Sequence, residues 1–191
     1  GGAGYVGLPE VNAPFRGWKI TLFEGGIRVP MFVKWPAKIA AGTIVDTPVA
    51  HIDLLPTLVA AADGVLPTDR IIDGQNILPE ATGEGSIQRP NDAIFWSSGD
   101  YRVVRAADWK LQVDQNQDKT WLFDLASDPT EQTNLAEVHQ EKVTELQALL
   151  TAHYADAVEP LYPHKITSPI LIDKTLDQTP TAQDEYVIWP N

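Results

Sequence analysis

Cysteine is missing altogether from the 191 residues, and methionine occurs once, at Met31. The first absence excludes disulfides, thiolate metal ligands and a cysteine nucleophile within the chain, while leaving its redox compartment open. The second leaves no initiator, so the opening GGAGYVGLPE reads as the middle of something longer. Positive charge is scarce as well. Fourteen Lys and Arg stand against 26 Asp and Glu, a formal charge of −12. That balance disfavours a general nucleic-acid or anionic-membrane surface, and any anionic ligand has to be caught locally. No apolar run approaches the roughly 18 residues of a membrane span, and no charged start followed by an apolar stretch marks a signal peptide. What is present is a globular composition, 43% hydrophobic with six tryptophans, enough for one core and a small appended layer.

Glycines and prolines before residue 18 predict an irregular loop. The run IRVPMFVKWP, residues 27–36, reads as a buried strand. In HIDLLPTLVAAADG, Asp53 is positioned to cap a helix with Leu54, Leu55, Leu58 and Val59 on one face, and Gly64 supplies a stop. Residues 63–92 form a connection rich in glycine and proline. Four short runs follow, AIFWSS, YRVVRAA, WKLQVD and TWLFDLA, separated by polar turns, which is the pattern of an antiparallel meander. Asn134 and Glu137 have capping-box spacing, and Leu135, Val138, Val143, Leu146, Leu149, Leu150 and Tyr154 trace one face of a helix expected to lie across that meander. The proline-containing tail after Val158 predicts an extended, wrapping segment.

FRGWKITLFEGGIRVP, residues 15–30, combines cations, an acid and glycines with an apolar body. Lys19 lies among Phe15, Trp18, Ile20 and Leu22, where an ammonium without a counter-charge is costly. Either a carboxylate such as Glu24 or an anionic ligand answers that need. Arg16 and Arg28 suit structural pairing with Glu24 or carbonyls, and Gly25 and Gly26 suit positive φ or close backbone approach. The histidines lack metal-binding spacing: His139 and His153 read as helix-surface residues and His51 as a cap-region residue. Nucleophile elbows and phosphate-binding glycine loops are absent, GGAGYVG has no preceding strand, and the acid-rich DLASDPTEQTNLAE lacks the order of a calcium loop.

NAPFRGWKITLFEGGIRVPMFVKWP resembles the segment N-x-P-x-R-G-x-K-x-x-x-x-E-G-G-x-R-V-P of the sulfatases, in the alkaline phosphatase superfamily. HIDLLPTLVAAADG is similar to their D-L-x-P-T-L helix. ADWKLQV and WLFDLASDPTEQTNLAE are similar to their W-K-L strand and L-Y-D-L-x-x-D-P-x-E-x-x-N-L-A closure. The resemblance covers about residues 1–158 and implies the C-terminal part of an α/β (α+β) sulfatase fold, with a small four-stranded antiparallel sheet packed by a long C-terminal helix. It divides the chain into a remnant of the catalytic domain (1–90), a sheet-plus-helix subdomain (91–158) and an extended tail (159–191).

By the same resemblance Lys19 grips the sulfate group of a sulfate ester, with Tyr5 and Trp18 as substrate wall and Glu24, Gly25, Gly26 and Arg28 as scaffold. The family's calcium and its formylglycine nucleophile, made from a C/S-x-P-x-R motif, have no counterpart residues in this chain. The expectation is therefore a fragment inactive alone, with a periplasmic or secreted parent. Two other readings stay open: part of a phosphonate or phosphodiester hydrolase of the same superfamily, or a non-catalytic module that self-associates through exposed sheet edges.

Overall fold

A computed structural model describes residues 11–158, 160–162 and 164–190. The chain divides into two compact units. One comprises the chain up to Pro30 together with Ala93 onwards, and the other comprises Met31–Asp92.

The first unit is organised by the meander. Strands β1 (Ala93–Ser98), β2 (Tyr101–Ala106), β3 (Trp109–Asp114) and β4 (Lys119–Asp124) pair antiparallel in the order β1-β2-β3-β4. Alternation sends successive side chains to opposite faces, and both faces are covered. On one, Val104, Leu111 and Leu122 pack with Leu146 and Leu150 of helix α4 (Gln140–Tyr154). On the other, Tyr101, Val103, Trp121 and Phe123 pack with Trp18 and Phe23 from the N-terminal loop and with Ile170, Ile172 and Val187 from the tail. A sheet buried on both sides accounts for the near-continuous apolar character of these strands.

Helix α4 crosses the sheet as expected but starts later than the capping-box spacing suggested. Asn134 is already used: its Oδ1 accepts from Leu122 N (2.9 Å) and Ala136 N (3.0 Å), and its Nδ2 donates to Thr120 O (2.9 Å). It fastens the loop to β4 instead of capping a helix. The tail is more ordered than an extended wrap. Strands β5 (Thr167–Leu171) and β6 (Tyr186–Pro190) pair antiparallel, and Val187 and Ile172 are fully buried in the core.

In the first unit a single helical turn, α1 (Glu24–Ile27), follows the loop that bears Lys19. Beyond it the strand expected over 27–36 does not form. No ladder partner exists for it among the described residues, and Phe32 is 92% exposed. A strand is defined by its neighbours, so an apolar run without one cannot close a ladder.

In the second unit a 3₁₀ turn, His51–Asp53, leads into α2 (Leu54–Ala61), and α3 (Leu78–Ala81) follows. Asp53 does not cap α2. Its carboxylate is buried and accepts from Ala50 N and Gln75 N, both at 2.7 Å, and from Arg89 Nη2 at 2.6 Å. Thr57 Oγ1 donates to Asp53 O (2.6 Å) and accepts from Ile77 N (3.1 Å). The D-L-x-P-T-L segment is thus a polar hub. The helix buries Pro56 and Thr57, whereas Leu54, Leu55 and Leu58, expected on a packed face, are exposed. At its end Asp63 takes the left-handed conformation (φ 53°), and Gly64 donates its N–H to Val59 O (2.8 Å).

Candidate functional site

Lys19 stands in a tight turn between Trp18 and Thr21. Thr21 N donates to Trp18 O (3.0 Å), Thr21 Oγ1 donates to the same oxygen (2.9 Å), and Trp18 N donates to Thr21 Oγ1 (3.1 Å). Ile20, inside the turn, has φ 92°, a region β-branched residues avoid. Such a conformation persists only where its surroundings over-determine it.

Those surroundings begin with the two glycines of EGG. A Cβ on Gly25 would lie 2.3 Å from Gly17 O, and one on Gly26 would lie 2.0 Å from Thr21 O. Close backbone approach, not positive φ, is what these positions require. It lets Gly25 N donate to Arg16 O at 2.7 Å.

Directly after the turn, Leu22 and Glu24 join a buried charged network. Lys110 of β3, fully buried, places Nζ 2.9 Å from Glu24 Oε1 and 2.8 Å from Glu131 Oε1. Glu131 Oε2 accepts from Glu24 N (2.5 Å), and its Oε1 accepts from Gln112 Nε2 (3.0 Å). Gln112 Oε1 accepts from the Tyr101 hydroxyl, whose oxygen accepts from Leu22 N (3.2 Å). Lys110 and Gln112 share the face of β3 opposite Leu111, so strand alternation alone directs them to the EGG loop. No buried side-chain nitrogen or oxygen among the described residues lacks a hydrogen-bond partner. A network satisfied in this way fixes geometry, whereas a half-satisfied one would destabilise it. Burial pushes the Glu131 carboxyl above its ordinary range, with the Lys110 charge partly offsetting it, and burial likewise raises the Tyr101 hydroxyl well above its own.

A second set of bonds ties the loop to the tail. Arg16 Nε and Nη2 donate to the two oxygens of Asp173 (2.8 and 2.6 Å), and Nη2 also donates to Glu185. Trp18 Nε1 donates to Leu171 O at 2.8 Å. Burial disfavours the Arg16 charge, but the bonds to Asp173 and Glu185 outweigh it and hold the guanidinium above its usual range. At Glu185 burial acts to raise the pKa. Bonds from Arg16, Lys119 and Trp121 outweigh it and bring the carboxyl down to about 2.

The predicted site residues fall in different places. Lys19 is exposed, so Phe15, Trp18, Ile20 and Leu22 do not provide the desolvation expected of them. Trp18 is core, 4% exposed, and offers a substrate little surface. Tyr5 lies outside the described residues. Glu24, weighed as the partner of Lys19, is engaged by Lys110 and by Arg28 (3.8 Å). Arg28 also stacks over the Phe15 ring, and Arg16 pairs with tail carboxylates and donates to one carbonyl, Glu131 O (3.4 Å), rather than to the Glu24 side chain. His139 bonds Glu141, and His153 stacks on Phe95. Lys110, Glu131, Asp173 and Glu185 were not singled out from the sequence. The available signal was a lysine placed between Trp109 and Leu111 in a strand buried on both faces. Among the described residues no three His, Asp or Glu side chains converge as they would around a cation.

Glu24 of the EGG segment, Lys110 of the WKL strand and Glu131 of the DPTE closure therefore meet at one point. The family described as N-sulphoglucosamine sulphohydrolase, C-terminal, matches residues 17–159. The chain belongs to this sulfatase family. Similar curated sulfatases include the N-acetylgalactosamine-6-O-sulfatase of Bacteroides thetaiotaomicron, 30% identical over 149 residues, covering 71% of this chain and 29% of that protein. Rat (Rattus norvegicus) steryl-sulfatase is 44% identical over 72 residues, covering 38% of this chain and 12% of its own length. Among solved structures, Ps i-CgsB superposes with a TM-score of 0.68 at 26% identity, covering 78% of this chain and 34% of that one. The sulfatase chain thus spans about a third or less of the relatives it matches, and the signature segments that converge here belong to their C-terminal portion.

Proposed function

We propose that this chain acts as the C-terminal part of a sulfatase catalytic unit and that Lys19 contributes the positive charge that receives the sulfate group of a sulfate ester. The observation that carries this reading is the convergence of Glu24, Lys110 and Glu131, which anchors the chain directly after the Lys19 turn through Leu22 and Glu24. A buried, fully bonded scaffold a few residues after an exposed lysine suits a backbone that must stand at a fixed place. An ammonium carried on that turn neutralises charge developing on the sulfate oxygens as the ester bond breaks, and its effect grows when the remainder of a catalytic domain excludes water around it.

The nucleophile and the calcium of such a site come from outside this chain. A sulfated sugar is the substrate class to test first, because a relative matching most of the chain is named for a sulfated amino sugar. Purified chain alone is expected to leave an aryl sulfate intact. Hydrolysis by the tag-free chain, abolished by Lys19→Ala, would overturn the claim that the remaining groups are needed. Reading the gene upstream for C/S-x-P-x-R separates a sulfatase from a phosphodiester hydrolase.

A second reading, a module that self-associates, is favoured by the exposure of Phe32, Val33, Leu55 and Leu58. A clean monomer in light scattering at high concentration would remove it.

A further inference from the structure

We propose that the C-terminal hairpin, residues 167–190, is a clasp that positions the Lys19 turn, with Arg16, Asp173 and Glu185 as its positioning residues. The proposal rests on the reading of Lys19 given above, but it concerns a segment that lies beyond the family match, which ends at residue 159.

The turn carries a strained residue, Ile20 at φ 92°, and needs anchors on both sides to keep it there. On the C-terminal side Leu22 N donates to the Tyr101 hydroxyl and Glu24 joins the network on Lys110, so that side is fixed by the sheet. On the N-terminal side the two residues that flank Gly17 both reach the hairpin. Arg16 forks onto Asp173 and adds Glu185, whereas Trp18 donates its indole N–H to Leu171 O. Gly17 itself has φ 78° and gives no stiffness of its own. Arg16 O and Gly17 O accept from Gly25 N (2.7 Å) and Asn12 Nδ2 (3.2 Å), bonds that hold the loop to itself and not to the sheet. The hairpin is in turn held to the sheet independently of Arg16. Ile188 N donates to buried Asp114 (2.7 Å), Lys119 pairs with Glu185 (2.6 Å), and Val187 is fully buried. Arg16 Nη1 also donates to Glu131 O, but at 3.4 Å, longer than its bonds to the hairpin, so the main line of attachment runs from the sheet through the hairpin to Arg16 and Trp18, and from there to Lys19. Charged bidentate bonds of this kind fix orientation as well as distance.

The test uses the full chain with two near-isosteric changes together, Asp173→Asn and Glu185→Gln, and reads amide hydrogen exchange residue by residue. The Thr21 amide, which closes the turn on Trp18 O, is expected to exchange about tenfold faster or more, while the Leu111 and Val104 amides of the sheet change by less than about twofold. Unchanged protection at Thr21 would overturn the clasp. So would a uniform loss across the sheet, because the contacts would then hold the fold as a whole and not the turn. Arg16→Lys, which keeps the charge but loses the fork, is expected to reproduce the local effect in part, and wild-type protection at Thr21 would again contradict the proposal. These readouts are independent of catalysis. Failure of the clasp leaves the role of Lys19 standing, and failure of Lys19 in a turnover assay leaves the clasp standing.

Discussion

At the residue scale, Lys110 carries the heaviest energetic consequence. One ammonium with no solvent exposure faces two carboxylates, and removing it leaves Glu24 and Glu131 buried without it. Lys110→Met is expected to lower the unfolding free energy by about 3–5 kcal/mol, measured by denaturant titration. Adding Glu131→Gln should return part of that loss, because one orphaned charge is gone. A double variant no more stable than the single would contradict the network. Glu131 also sets the sign of a pH effect. Its folded pKa is raised above the ordinary 4.5 by burial, so its ionisation destabilises the fold progressively as pH rises from about 4.5 through that raised value. The deficit of Lys110→Met should therefore shrink as the pH is lowered toward 4.5. Glu185 has the opposite sign. Its folded pKa of about 2, against 4.5, means that its contribution is complete above about pH 4.5 and is lost as pH falls through about 2. Glu185→Gln should flatten that portion of the acid unfolding curve, and an unchanged acid limb would show the carboxylate to be idle.

At the element scale, the meander and helix α4 were legible because period-2 runs and a period-3.6 stripe report directly on local geometry. The register of Lys110 was not, since a lysine in a strand reads as solvent-facing until both faces of the sheet are known to be covered. The strand expected over 27–36 failed for a related reason: apolar β-branched residues state a preference that only a neighbouring strand can satisfy. The tail hairpin was missed because its two strands are separated by residues 172–185 and contain Pro169 and Pro190, so neither a tight-turn signal nor a proline-free run announced it. The Lys19 segment was legible as special, and the pairing of Arg28 with Glu24 and of Arg16 with a carbonyl, Glu131 O, was legible too, but the long-range partners were not. Glu24 is near in sequence, but Lys110 and the tail carboxylates reach these residues from over 80 positions away. The end of α2 gives a further test. Asp63, exposed at φ 53°, occupies a position glycine fits better, and Asp63→Gly should raise the denaturant midpoint by about 0.5–1 kcal/mol equivalent. A lowered midpoint would show that its side chain, not its backbone, matters.

At the scale of the whole molecule, the chain covers 29% of one sulfatase relative and 34% of a solved structure with the same fold. Phe32 at 92%, Val33 at 53% and Leu58 at 65% exposure leave large apolar side chains open to solvent. The proposed role of Lys19 needs a scaffold built within this chain to set it where sulfate binds. Its most direct test is hydrolysis of an aryl sulfate by the complete protein, comparing wild type with Lys19→Ala. The account predicts that kcat/KM falls by about 10²–10³ with an unchanged unfolding midpoint. Wild-type turnover in Lys19→Ala would contradict it.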